Sequence, residues 1–283
     1  MSIQKYVKNI NSFKGKRIAI TGATSGVGKE LFYHLMNKEA SVVLLVRNIA
    51  KANELKAEFP DREIDIIEYD QASYKKIERA CNELVEKYSD MYAIVLDAGN
   101  LGEKNPTEDG YPGTIGVNYF GVRHFIDYIS PKLKNNVRFV IQGSIVAGLN
   151  PKKRADLFDI RLKTFTQYNL SKIYLEAYFY KLFSENKYPN IEYVLTEPGI
   201  SSTGIIRNFN AFVRVAGKYF LKIFFHSPKK ASLTLFVGLS DKAKNGDFIT
   251  PHGLFTMSGY PMIKKFPEKR KRQYLFEKEK SPF

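Results

Sequence analysis

The sequence lacks tryptophan and has one cysteine and four histidines in 283 residues. A single thiol, Cys81, excludes an internal disulfide and a thiolate metal cluster. It lies within an amphipathic helical pattern, where a buried structural thiol is expected. His34, His124, His226 and His252 are dispersed without metal-ligand spacing, so no metal site is expected. No run approaches the ~20 apolar residues of a membrane span, and Met1 to Arg17 is polar and lysine-bearing, without an apolar run of signal-peptide length. A soluble, cytoplasmic protein is expected. No internal repeat or low-complexity linker divides the chain. Acidic residues are outnumbered, 29 against 44 basic ones, giving a formal net charge of +15. Such an excess attracts nucleic acid, anionic membrane or phosphorylated ligands. Here it is split between single lysines on helix faces and the tail segments Lys264-Lys265 and Lys269-Arg270-Lys271-Arg272. No zinc-finger or RNA-recognition signature accompanies it. A solvated basic surface is therefore expected, with no nucleic-acid partner and at most peripheral membrane contact.

What the sequence does have is alternation. Apolar strand-like runs occur at Lys16–Thr21, Ser41–Val46, Glu63–Tyr69, Met91–Leu96, Val137–Gln142, Ile191–Thr196 and Phe248–Thr250. Helical patterns fall between them at Val27–Lys38, Ile49–Phe59, Ser73–Tyr88 (with Ser73 as N-cap), Gly116–Ile129, Thr166–Glu185 and Pro228–Ser240. Continuous apolar strands separated by helices predict one doubly wound α/β (Rossmann) domain, a parallel sheet of about seven strands with helices on both faces. Residues 1–13 read as an N-terminal extension, 14–260 as the catalytic domain and 261–283 as a basic C-terminal tail. In such sheets ligands lie at the carboxyl ends of the strands.

The first strand runs directly into Thr21-Gly22-Ala23-Thr24-Ser25-Gly26-Val27-Gly28, which opens the first helix. Glycines allow positive φ and close backbone approach to a pyrophosphate, and the helix N-terminus adds donors. The spacing is Gly-x-x-x-Gly-x-Gly, and an ordinary tight turn is the alternative reading. After the second strand, where a carboxylate would bind the ribose hydroxyls of NAD, stand Arg47 and Asn48. A guanidinium there pairs with a 2′-phosphate, so NADP (NADPH) is the expected cofactor, against the alternative of an exposed strand-end cation. Asp70, after the third strand, reads either as an acceptor for adenine or as a turn residue.

A tyrosine and a lysine four apart share one helix face, so the ammonium can lower the phenol's pKa. Four such pairs occur here. Pro131 interrupts Tyr128/Lys132, Pro261 interrupts Tyr260/Lys264, and Tyr274/Lys278 lies in the charged tail. Tyr168/Lys172 alone lies on a long amphipathic helix between buried strands, with Ser144 following the fifth strand. Together with Asn118 in Val117-Asn118-Tyr119 and the Pro198-Gly199 turn, these residues resemble the short-chain dehydrogenase/reductase superfamily over residues 14 to 250. Within it, Arg47-Asn48, Thr107-Glu108-Asp109-Gly110 and the wide gap from Ser144 to Tyr168 look most like the retinol dehydrogenase and protochlorophyllide reductase-like branch. The resemblance implies Tyr168 as proton donor or acceptor, Lys172 as its electrostatic partner and ribose ligand, Ser144 as a hydroxyl on the substrate oxygen, and Asn118 as the anchor of a water path. It also implies a cofactor site of Gly22, Thr24, Ser25, Gly26, Val27, Gly28, Arg47, Asn48, Asp70, Gln71, Ala98, Gly99, Pro198, Gly199 and Ile200 with Tyr168 and Lys172. One departure is Leu96-Asp97-Ala98-Gly99, where the family usually has Asn-Asn-Ala-Gly. Asp97 accepts hydrogen bonds but, when ionised, donates none.

On the substrate side, the insert Leu149 to Thr164 is basic and contains Phe158. The segment from Ser201 to Phe225 corresponds to the family's mobile lid. Phe209, Phe212, Val213, Ala216, Phe220 and Ile223 recur at helical spacing opposite Arg207, Arg214, Lys218 and Lys222. Three readings fit this basic amphipathic pattern: an apolar lid, a core-packing helix, or a membrane-surface helix. The expected function is an NADPH-dependent carbonyl reductase or alcohol dehydrogenase acting on a small apolar substrate. The alternative is a non-catalytic NADP-binding regulator or scaffold. Helices Gly116–Ile129 and Thr166–Glu185 are the pair with which the family often forms homo-oligomers, although the Tyr174-Tyr178-Phe179 face reads equally as core.

Overall fold

The structure is a computed structural model that describes residues 2–103, 105–148, 156–200, 227–253, 256–268 and 270–271. Strands β1 (Arg17–Thr21), β2 (Ser41–Val46), β3 (Ile64–Glu68), β4 (Met91–Leu96), β5 (Val137–Gln142), β6 (Ile191–Thr196) and β7 (Asp247–Pro251) run parallel, in the spatial order β3-β2-β1-β4-β5-β6-β7. The chain winds outward from β1 to β3 and returns on β1's other flank as β4. The order therefore reverses between β1 and β4, and the strand ends there splay into a crevice. Thr21 is in register with Leu45 of β2 and Leu96 of β4, which brings the three following loops to one edge.

Alternate side chains of each strand feed two cores, as the period of two requires. Ile18 and Ile20 point into one core, with Leu31, Phe32 and Phe236; Ala19 points into the other, with Phe125, Phe139 and Phe179. The first core is closed by α2 (Gly26–Met36), α3 (Ile49–Ala57) and α9 (Leu233–Leu239). The second is closed by α4 (Tyr74–Lys87), α6 (Val122–Ile129) and α7 (Thr164–Glu185). Ser73 caps α4 as expected, accepting from Lys76 N. Cys81 is fully buried in the second core, and burial pushes its thiol pKa well up.

Several boundaries differ from the sequence expectation. The sheet has eight strands: β8 (Pro261–Lys265) lies antiparallel on β7 at the edge, so the expected tail 261–283 begins inside the fold. Its leading proline and solvent-facing Met262 and Ile263 suit an edge strand and hide it from a search for buried runs. The expected extension 1–13 contains α1 (Ile3–Lys8) and contributes Ile10 and Phe13 to the first core. The helix expected over 116–129 is composite: α5 (Gly113–Ile115), a π-helix (Gly116–Gly121) and α6. The helix expected over 228–240 is two, α8 (Pro228–Ala231) and α9, divided at Ser232, whose hydroxyl donates to Lys229 O. Tyr178 and Phe179 are buried in the second core, with Tyr178 Oη donating to Asp127 at 2.6 Å across to α6, so that face packs within the chain. No helix among the described residues is long and apolar enough to cross a membrane. The expected lid 201–225, residues 149–155 of the basic insert and Tyr274/Lys278 lie outside the described residues.

Candidate active site

The glycine turn is shaped by contacts that admit no side chain. Gly22 and Gly26 have φ of +77° and +58°, and a Cβ on Gly28 would lie 2.6 Å from the Gly22 carbonyl oxygen and 2.7 Å from Asp97 Oδ2. The turn delivers the chain to the N-terminus of α2, where Ser25 makes no side-chain cap and the first turn carries no acidic residue. The Gly28 N–H faces Asp97, and the Gly26 and Val27 N–H groups keep their capacity for an anion, which fits a dinucleotide's phosphates. Thr24 and Val27 line the same turn. Beside it, Thr21 Oγ1 accepts from the N–H groups of Asp97 and Ala98 (3.1 and 3.0 Å), tying the Leu96-Asp97-Ala98-Gly99 segment to β1.

The other expected cofactor residues meet at this edge with differing commitments. Arg47 is exposed and, among the described residues, enters no ion pair. Asn48 is the N-cap of α3, its Oδ1 accepting from Lys51 N at 3.0 Å. Asp70 folds its own turn, accepting from Ala72 N at 3.1 Å. Gln71 is buried, and its amide donates to the carbonyls of Ala98 and Val117 (3.1 and 2.7 Å). It thus acts as a strut between three segments. Gly199 has φ of +74°, and a Cβ there would meet the Met257 carbonyl oxygen at 2.5 Å. Ile200 N donates to the same carbonyl, which fixes the Pro198-Gly199-Ile200 turn.

Of the four expected catalytic side chains, Tyr168 and Ser144 touch each other, while Lys172 and Asn118 bond to neighbouring segments. Tyr168 Oη donates to Ser144 Oγ at 3.3 Å, and both residues are buried. Lys172, one turn along α7, donates from Nζ to the Gln142 carbonyl oxygen at 2.9 Å. Asn118 lies in the π-helix, where the added residue re-aims a side chain. Its Oδ1 accepts from Asn100 N, and its Nδ2 donates to Asn100 O (both 2.8 Å) and to Ser171 Oγ (3.3 Å). Burial lowers the Lys172 pKa to about 8, opposed by the charges of Asp97 and Glu176. The Tyr168 phenol departs from the sequence expectation. Burial raises it, the hydrogen bond with Ser144 opposes the rise, and Asp97 and Glu197 add to it; Lys172 is not among the groups that shift it. Its ammonium is engaged by the β5 carbonyl.

Three acidic groups around this cluster were not expected from the sequence to act there. Burial raises Asp97 to about 7, against the pull of Lys172 and the Gly28 N–H. Glu176 and Glu197 lie behind Ser144 and before Pro198, both almost wholly enclosed. Glu176 was visible in one respect: Tyr168, Lys172 and Glu176 fall at i, i+4 and i+8, so a charged residue occupies a helix face that is otherwise inward.

Comparison with known proteins bears on the family. A sequence profile described as short chain dehydrogenase matches residues 16–213. The "Short-chain dehydrogenase/reductase pkfC" of Emericella nidulans is 26% identical over 255 residues, covering 82% of this chain and 80% of that protein. Human "Retinol dehydrogenase 13" is 27% identical over 117 residues, 40% of this chain and 35% of that protein, in accord with the branch that the sequence resembles. A short chain dehydrogenase from Burkholderia cenocepacia J2315, solved in complex with NADP, superimposes with a TM-score of 0.65 at 20% identity, covering 82% of this chain and 93% of that one. A buried Tyr168–Ser144 hydrogen bond with Lys172 one turn along the helix, and a glycine turn whose Gly22 and Gly28 leave no room for a Cβ, in a chain that this profile matches over most of its length, identify the protein as a member of the short-chain dehydrogenase/reductase family of oxidoreductases.

Proposed function

We propose that the protein is an NADPH-dependent oxidoreductase that interconverts a carbonyl and an alcohol on an apolar substrate, with Tyr168 as the acid/base. The observation that carries this reading is the buried Tyr168–Ser144 hydrogen bond, with Lys172 one helical turn away. A phenol held above its ordinary pKa stays protonated at neutral pH, so it can donate to an oxygen that develops negative charge. The Ser144 hydroxyl is a second donor at the same position, and the two together stabilise an alkoxide. Lys172, with its pKa near 8, supplies charge that changes close to working pH. When bound, a nicotinamide cofactor supplies or accepts the hydride. The uncapped N-terminus of α2 and the glycine turn would hold its phosphates, and Arg47 would hold a 2′-phosphate. The absence of a carboxylate at the end of β2 and the NADP bound by the Burkholderia relative support the choice of NADPH. The exposed Phe158, in the stretch between Ser144 and Tyr168 and packed on Tyr111 and Phe120 at 6.0 and 5.5 Å, favours an apolar substrate.

NADPH oxidation followed against a panel of apolar ketones, aldehydes and quinones tests the reading. Tyr168→Phe is expected to cost roughly 100-fold or more in kcat while NADPH still binds. Turnover within twofold of the parent on an accepted carbonyl would discard Tyr168 as the acid. Separately, Arg47→Ala is expected to weaken NADPH about tenfold or more, the worth of a charge-assisted hydrogen bond, and to leave NADH unchanged. An unchanged NADPH-to-NADH affinity ratio would reverse the cofactor assignment.

A further inference from the structure

Beyond β8 the chain returns to the back of the active site. Phe266 is buried against the rings of Phe179, Tyr180 and Phe248, and Pro267 O then accepts from Arg270 N at 2.9 Å. Arg270 points inward. Its Nη1 donates to Glu176 Oε2 at 2.7 Å and to Glu197 Oε1 at 2.6 Å, and these carboxylate side chains are only 3% and 1% exposed. A Cβ on Gly148 would lie 3.1 Å from Nη2, so the guanidinium also abuts the short helix that follows Ser144.

Each carboxylate lies next to a part of the reacting site. Glu176 is one turn beyond Lys172 on α7 and sustains that ammonium. A Cβ on Gly143 would lie 2.9 Å from Glu176 Oε1, so the carboxyl fills the space under the Gly143-Ser144 turn. Glu197 precedes the Pro198-Gly199 turn, and its N–H donates to Ile249 O at 2.8 Å. We propose that Arg270 is a positioning residue for this site: by holding two buried carboxylates it fixes the Ser144 and Pro198-Gly199 segments and sets the charge that Lys172 feels. The proposal rests on the reading of Tyr168, Ser144 and Lys172 given above.

Anchoring alone would not call for charge, because apolar side chains hold a buried site at least as well. Two carboxylates face one guanidinium, and one oxygen of each, Glu176 Oε1 and Glu197 Oε2, is buried without a donor. A single proton shared between them would satisfy both, and burial raises both groups. Without the guanidinium both carboxyls would take up protons, and Lys172 would lose the support of Glu176. The other charged groups facing the cluster or its lysine are Asp97, after β4, and Lys264, on β8.

The test compares Arg270→Met with Arg270→Lys in the full chain. Hydrogen–deuterium exchange of the ligand-free protein needs no substrate and reads positioning directly. Arg270→Met is expected to speed exchange about tenfold or more in peptides covering 143–148 and 197–200, and to leave β1 to β3 unchanged. In turnover, it is expected to lower kcat and to shift the alkaline limb of the pH profile to lower pH. Arg270→Lys, which keeps the charge, is expected to restore the limb and most of the protection. If Arg270→Met does not fold, the double variant Arg270→Met/Glu197→Gln, with one fewer buried carboxylate, replaces it. Unchanged exchange in both segments, a uniform rise across the sheet, or an unmoved alkaline limb with unmoved kcat would overturn the proposal. Since exchange is read without turnover, a failure of Tyr168 as the acid would not be mistaken for a failure of Arg270.

Discussion

Asp97 is held where a carboxylate is costly, packed against Gly22 and Gly28 at the mouth of the phosphate turn. Burial lifts its folded pKa to about 7 from an ordinary 3.8. A carboxyl raised on folding gives stability that is complete below the unfolded pKa, and that stability is lost as pH climbs through the folded one, because the unfolded chain sheds its proton first. The window here runs from about pH 4 to about pH 7. Asp97→Asn keeps the shape and removes the titration. Urea denaturation should find the variant more stable by roughly 2 kcal/mol near pH 8, and equal to the parent near pH 4. That figure allows for Lys172 losing an opposite charge. An equal difference at both pH values would show that the carboxylate's ionisation is not the cause. The substitution also restores the asparagine usual in the family, so it reports what this chain's departure costs.

At the scale of elements, much of the candidate site is assembled from ends, of β1 with α2, of β2 with α3 and of β5 with its short helix, while α7 and the π-helix supply Tyr168, Lys172 and Asn118 from within. Such ends carry unsatisfied backbone groups, and the residues filling them were readable in sequence only where capping chemistry is local. Ser73 at α4 was legible for that reason. Asn48 was legible as a polar strand-end residue but served a different purpose, because its oxygen closes the first turn of α3. Asn48→Ala should therefore lower stability by about 1 kcal/mol, measured by thermal or chemical unfolding. It should leave the NADPH-to-NADH ratio unaltered, in contrast to Arg47→Ala. A change in that ratio without loss of stability would return Asn48 to the cofactor site. The π-helix was not legible, because one added residue in a helical turn leaves no periodic signature over six residues.

At the scale of the molecule, the two cores on opposite faces of the sheet make the ends of the chain part of the fold. Phe13 lies in what reads as an extension, yet it is buried beneath α9, with its ring 5.6 Å from Phe236. Phe13→Ala should cost about 3–5 kcal/mol in urea denaturation, the range for a fully enclosed aromatic. A loss under about 1 kcal/mol would mean that residues 1–13 dock weakly. At the other end, β8, Phe266 and Arg270 turn part of the basic tail into structure. The net charge of +15 therefore overstates the free cationic surface by at least the guanidinium committed to Glu176 and Glu197.

The sequence by itself determined the seven parallel strands, the main helices and the residues of the candidate cluster. Apolar runs of strand length, glycines at fixed offsets after β1, and a Tyr-x-x-x-Lys on an amphipathic helix are local patterns, and local patterns follow from backbone sterics and periodicity. Only the tertiary structure decided which charges the cluster feels. Asp97 meets Gly28 across a crevice, and Arg270 reaches Glu176 and Glu197 over separations of 94 and 73 residues. No spacing rule links such pairs. Their proximity is set by the reversal of strand order and by an antiparallel edge strand, and their pKa values by a burial that exists only once the cores have closed.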